Sequence, residues 1–297
     1  TILPSLSAAN DTFGIYLNGL VSGATIQNNG IFYRSAGSMG AFTSYGLYAQ
    51  SAAGLLIDRN RFGEPGMITA GSHEVVRFAG TTNSSFKSND VHVAGAGLTN
   101  AYGLSALSGS TGVKVKDNVF LISTSVIGSS ATIRVSADSQ PGFASDYNGY
   151  YSSNAYSTGF WGAAAYALTA AWTAGSAQDA NSVSGQHPYW ADPSAGVEDY
   201  HPRSPRGRYD PGTGGFVIDG VLARSIDAGD PAEAVGLEPS PNGSRLNAGS
   251  YGGTAEASKA APAPTGQIAG AVNLSSITLT FGSVASDGYN AQAATAQ

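Results

Sequence analysis

Apolar positions along this chain recur with a period near thirty residues. The segments "TIQNNGIF", "LIDRNRF", "FKSNDV", "VKVKDNVF" and "SDYNGYY" align on Asn29, Asn60, Asn89, Asn118 and Asn148, which are separated by 31, 29, 29 and 30 positions. Three residues before the first four stand Ile26, Ile57, Phe86 and Val115, and two residues after all five stand Ile31, Phe62, Val91, Phe120 and Tyr150. About half a period earlier a second register runs through Ile15, Leu47, Val76, Leu104 and Ile133, then Leu17, Ala49, Phe78, Ala106 and Val135. Both registers alternate as strands do, and neither shows a helical period. Such a repeat predicts a coil of short parallel strands in which each turn stacks on the last and like residues lie over like.

Asparagine is a poor strand residue because its amide competes for backbone hydrogen bonds. Five in register with two apolar columns point to a ladder of side-chain amides passing hydrogen bonds from turn to turn, with the chain turning at each asparagine through its tolerance of left-handed backbone angles. The outward positions form further columns. Tyr16, Tyr48, Arg77, Ser105 and Arg134 make one, and Gln27, Asp58, Lys87 and Lys116 another.

Composition agrees with many short strands and tight turns: 40 glycines, and only 11% charged residues against about a quarter in an ordinary soluble domain. A net charge of -6 with 14 Lys plus Arg argues against a nucleic-acid partner, which needs a clustered basic surface. No apolar run approaches the roughly 18 residues of a membrane span. The absence of cysteine fits either a reduced compartment or an exported chain that never relied on disulfides.

Beyond the repeats come "DYNGYY" (Asp146 to Tyr151), Trp172, "QDANS" (Gln178 to Ser182), "HPYWAD" (His187 to Asp192), "SIDAGDP" (Ser225 to Pro231) and "EPSPNGSRLNAGSYGGT" (Glu238 to Thr254). With the repeats, these resemble the right-handed parallel β-helix proteins of the pectate-lyase-like fold, found on bacterial surfaces and among secreted polysaccharide-active enzymes. The resemblance covers about residues 10 to 258. It departs at Asn181, where histidine is usual, at His187, where aspartate is usual, and at Arg224, where proline is usual; roles tied to those positions do not carry over. The fold class is therefore all-β, a right-handed parallel β-helix with an irregular, aromatic-rich C-terminal cap. The divisions are rungs over 1–156, cap and final strands over 157–256, a Pro/Ala linker over 257–270, and over 271–297 the first strands of a fibronectin type III-like or strand-exchange segment, with Ile277, Leu279 and Phe281 on one face. "GAAAYALTAAW", Gly162 to Trp172, is the one segment with helical propensity. The three tryptophans, Trp161, Trp172 and Trp190, suit core packing more simply than stacking on sugar rings.

Candidate chemistry is thinner. Tyr16, Tyr48, Arg77 and Arg134 on one sheet face would stack on and clamp an anionic glycan, and would equally serve as a solvated face. Lys87 and Lys116 could supply the base and the neutralising cation of polysaccharide β-elimination, although a solvated charged column explains them more simply. Asp227 and Asp230, with Glu233, Glu238 and Asn242, are hard oxygens that suit calcium; a turn closing on its own backbone is the simpler account, and no other cofactor is indicated. No nucleophile elbow or histidine metal spacing occurs. The expectation is an extracellular structural or adhesive module, secreted or at a bacterial cell surface. Its partners would be polysaccharide or neighbouring surface-protein subunits, and the C-terminal strands would offer a route to a homo-oligomer. The alternative is a polysaccharide lyase or hydrolase, which rests on fold-level likeness.

Overall fold

A computed structural model describes residues 1–19, 21–123, 130–152, 158–167 and 170–261, together with the backbone of the strands Ile268–Asn273 and Ser276–Thr280. Three parallel sheets run the length of the coil. The first stacks Thr12–Asn18, Gly37–Gln50, Ile68–Ala79, Leu98–Leu107, Ala131–Val135 and Thr158–Trp161, and ends with Ala164–Ala167 laid antiparallel. The second stacks Thr25–Gln27, Leu56–Asp58, Ser85–Lys87, Lys114–Lys116 and Ala144–Asp146. The third stacks Gly30–Phe32, Arg61–Glu64, Asp90–Val93, Val119–Ile122, Gly149–Tyr151 and Val183–Gly185. The chain is thus a parallel β-helix.

The apolar columns read from the sequence are the columns of the interior. Ile31, Phe62, Val91, Phe120 and Tyr150 are paired in turn on the third sheet, and all five are buried. Ile15 to Ile133 and Leu17 to Val135 pair in the same way on the first sheet. Pairing like with like puts ring on ring, as in Phe62–Phe86 and Phe120–Tyr150 with centroids 6.0 and 5.6 Å apart.

Between the second and third sheets the asparagines form a continuous chain of amides. Backbone N and Nδ2 of Asn60 both donate to Asn89 Oδ1, at 2.8 and 3.1 Å. Asn29, Asn89 and Asn118 donate in the same way to Asn60, Asn118 and Asn148. Each Nδ2 also reaches a carbonyl of the preceding turn, for example Asn89 to Ile57 O at 3.0 Å. The chain reversal is not made by the asparagine itself, contrary to expectation. The residue before it takes the left-handed angle: Asn28, Arg59, Ser88, Asp117 and Tyr147, with φ between 52° and 57°. Turning one residue early leaves the ladder residue free to aim its amide inward.

The expected helix from Gly162 to Trp172 is also displaced. Gly162, at φ 63°, makes a tight turn so that Ala164–Ala167 pairs back on Thr158–Trp161, and the helix is confined to Ala170–Ser176. Edge pairing outweighs alanine's propensity here, because a new strand satisfies backbone groups that a solenoid end leaves open. Trp172, 1% exposed, then packs edge-on against Trp161 and Tyr166 and closes the end of the coil.

After Gly185 the chain doubles back instead of adding to the end. It lays Trp190, Tyr200, Ala228, Ala248 and Tyr251 over Phe32, Val119, Leu121 and Tyr151, forming a second core on the outside of the third sheet. Contact with the body continues through Ala257 and Ala260, both buried. Beyond it, Ile268–Asn273 and Ser276–Thr280 pair with each other as an antiparallel hairpin. Phe281 and the remainder of the expected C-terminal face lie outside the described residues.

Asn89→Ala should cost about 3 kcal/mol, since it strands a buried acceptor above and buried donors below, whereas Asn29→Ala at the first turn should cost about 1 kcal/mol. Urea unfolding of the two variants measures the difference; equal losses would remove the ladder's structural role.

Candidate functional site

Register places Tyr16, Tyr48, Arg77, Ser105 and Arg134 in one outward column of the first sheet. A neighbouring column runs through Phe13, Tyr45, Glu74 and Tyr102. Together they build a surface of stacked rings ending in charge. Phe13 stacks on Tyr16 and Tyr45 at 4.7 and 5.2 Å, and Tyr45 on Tyr48 at 5.0 Å. The Arg77 guanidinium covers the end of this stack, 5.3 Å from the Tyr48 ring, and that of Arg134 lies 3.8 Å over Tyr102. Glu74 Oε1 accepts from both arginines, from Arg134 Nη2 at 2.8 Å and Arg77 Nη1 at 3.3 Å.

Two consequences follow for binding. The ring faces inside the stack are already occupied by their neighbours, so a ligand would meet ring edges, hydroxyls and the exposed Tyr16, which is 43% accessible and donates to Gln50 Oε1 at 3.0 Å. Two guanidinium groups share one carboxylate, which leaves an excess of positive charge on an aromatic face, a combination that suits an anionic ring-bearing ligand. Burial, followed by the charge of Glu74, pushes the Tyr45 hydroxyl's pKa up.

Lys87 and Lys116 lie elsewhere, on the second sheet, and the returning tail engages both. Lys87 Nζ is 2.7 Å from Glu233 Oε2, while Lys116 pairs with Asp230 and, at 3.3 Å, with Glu233 Oε1. The hydrogen bond from Lys87 holds the Glu233 carboxyl below its usual range; Lys116 does the same for Asp230 against the cost of partial burial. These ammonium groups act as fasteners between tail and coil. Asp58, expected beside Lys87, accepts instead from Gln27 Nε2 at 2.7 Å and Arg59 Nη1 at 2.6 Å. Asp227 and Asp230 do not converge either, because Asp230 turns to Lys116 while Asp227 turns into the loop containing Glu238. Among the described residues no group of three or more His, Asp or Glu side chains is placed to hold a metal.

One organising residue escaped the sequence reading. Asp179 terminates the ladder: its Oδ1 accepts from Asn148 Nδ2, Tyr150 OH, Ser145 Oγ and Ser182 Oγ, and its Oδ2 from Trp172 Nε1 at 2.8 Å. Ser182 Oγ takes the Asn148 backbone N–H at 2.9 Å, the place an asparagine would fill in another turn. The signal was present in "QDANS", but the inserted helix breaks the period by which the other rungs were found. Beside Asp179 opens a cavity of about 510 Å3 lined by Tyr150, Trp172, Ser182, Val183 and Ser184.

No helix among the described residues is long and apolar enough to cross a membrane. Comparison with protein-family models, with curated proteins and with solved structures gives no match.

The seam between tail and coil carries buried acids. Asp90 accepts from Ser250 N and Oγ, and Asp117 Oδ1 from Asp230 N. Burial pushes Asp90 and Glu64 up to about 7 and Asp117 to about 6. A carboxyl raised above its unfolded value of about 4 leaves the folded chain holding extra protons, so stability falls as pH rises toward 7. Buried His92 and His73, held neutral by desolvation, oppose this below about pH 6.5. The ion-paired Asp230 and Glu233 contribute above about pH 4 and lose that contribution below it. The uncancelled loss therefore lies between about pH 6.5 and 7.5. Calorimetry should show the melting temperature dropping across that window, and Asp90→Asn should flatten the drop; a rising profile would contradict the assignment.

Proposed function

We propose that this chain is a rigid extracellular module of the pectate-lyase-like β-helix type, structural or adhesive in role, whose first-sheet face contacts an acidic glycan. The observation that carries this reading is the uncovered column of stacked tyrosines closed by Arg77 and Arg134. That face runs along the rod, whereas the apolar outside of the third sheet is covered by the chain's own tail. A glycan repeats along its length as the rungs do, so successive sugars could meet successive turns. The alternative, a polysaccharide lyase or hydrolase, has less support, because Lys87 and Lys116, the bases suited to elimination, are held in ion pairs. The terminal hairpin fits the start of a fibronectin type III-like sandwich or a strand exchanged with a second copy, which would join modules end to end.

Binding of the full chain to a panel of uronic-acid and neutral polysaccharides tests the reading. Tyr16→Ala and Arg134→Ala should each weaken acidic-glycan binding about tenfold, the loss of one or two good contacts, while Lys87→Ala leaves it unchanged. Absence of binding across the panel, or binding indifferent to the first two substitutions, would end this proposal. Release of unsaturated sugars would move the assignment to the enzyme class.

A further inference from the structure

Two buried carboxylates in the returning tail lack the partners that every comparable group elsewhere in that tail has found. Asp227 donates its backbone N–H to Asn247 Oδ1 at 2.8 Å, and the Asn247 N–H in turn donates to Glu238 Oε1 at 2.8 Å. Asn247 therefore holds both acids to one spot. Glu238 is only 6% exposed; its Oε1 also accepts from Gly253 N at 2.9 Å, but its Oε2 has no hydrogen-bond partner. Asp227 Oδ1 is buried and unpartnered as well. The nearby guanidinium of Arg245 is spent on backbone, donating to Gly229 O at 2.6 Å and Ala228 O at 3.3 Å. The Asp227 carboxylate also lies flush against Gly243, where a Cβ would stand 1.9 Å from Oδ2, so glycine is required for the loop to close over it.

We infer that Asp227 and Glu238 together hold a hard divalent cation, Ca2+, inside the loop from Ser225 to Gly253. Bringing two unpaired carboxylate oxygens into one desolvated place is unfavourable unless a positive charge joins them. An oxygen-only pair selects a hard ion, and two carboxylates leave the remaining positions of a calcium shell to backbone carbonyls and water. Other buried acids with one open oxygen, such as Glu64 and Asp117, lack such a neighbouring acid whose oxygen is also open. The site would tie the two ends of the loop that follows the Lys87 and Lys116 fasteners, and so would stiffen the tail on the coil.

The test uses the full chain stripped with a chelator at about pH 7.5. Addition of about 5 mM Ca2+ should raise the melting temperature by about 2 °C or more, from a site of extracellular-module affinity. Asp227→Asn and Glu238→Gln should abolish the rise, and Asp230→Asn, which breaks only the Lys116 pair, should retain it. Isothermal titration of the unsubstituted chain should find about one Ca2+ bound. That titration decides the matter even if a variant fails to fold. No calcium binding, as expected if the acids share a proton or a water instead, overturns the site; so does a melting shift that survives Glu238→Gln.

Discussion

A buried amide must find donors and acceptors above and below it, and that requirement governs the coil. Each ladder asparagine is satisfied only if the next turn presents its own oxygen one strand spacing away. Length variation is therefore pushed away from the ladder corner. The first-sheet strands differ widely in length, from Thr12–Asn18 to Gly37–Gln50, while the second-sheet strands all hold three residues. Where the period is broken by the helix Ala170–Ser176, the ladder cannot continue with another asparagine. Asp179 and Ser182 end it by supplying oxygens from two different points of the chain.

The same regularity gives the two long faces different fates. Outward residues of the third sheet, Phe32, Leu121 and Tyr151, form an apolar strip that water would penalise, and the tail covers it with Trp190, Tyr200 and Tyr251. Polar fasteners then fix the tail in place: Arg34 on Glu198, Arg61 on the Tyr251 hydroxyl, Arg59 on Gly252 O, and the two lysines on Asp230 and Glu233. Outward residues of the first sheet instead satisfy one another by stacking and by the shared Glu74 carboxylate, and so remain at the surface. A surface that needs no cover is available to a partner.

Parts of the tail's docking were legible in the sequence, though for a reason easily missed. Runs such as "VFLI" and "GYY" are apolar at both alternations, the mark of a parallel strand buried on both faces. The first-sheet strands alternate more strictly and stay half exposed. The candidate residues divided along the same line. Tyr16, Tyr48, Arg77 and Arg134 share a face because register alone placed them there, whereas Lys87 and Lys116 are claimed by acids more than a hundred positions away, which no local pattern could pair with them.

Sequence alone determined the period, the interior columns and the ladder, because a repeat stacks each residue on its own equivalent and so writes its contacts into the spacing. Only the tertiary structure decided which face is covered, which lysines are neutralised, which residue makes each turn and where the helix begins. Those outcomes depend on contacts between segments that do not repeat, and on backbone angles set by the direction a side chain must point.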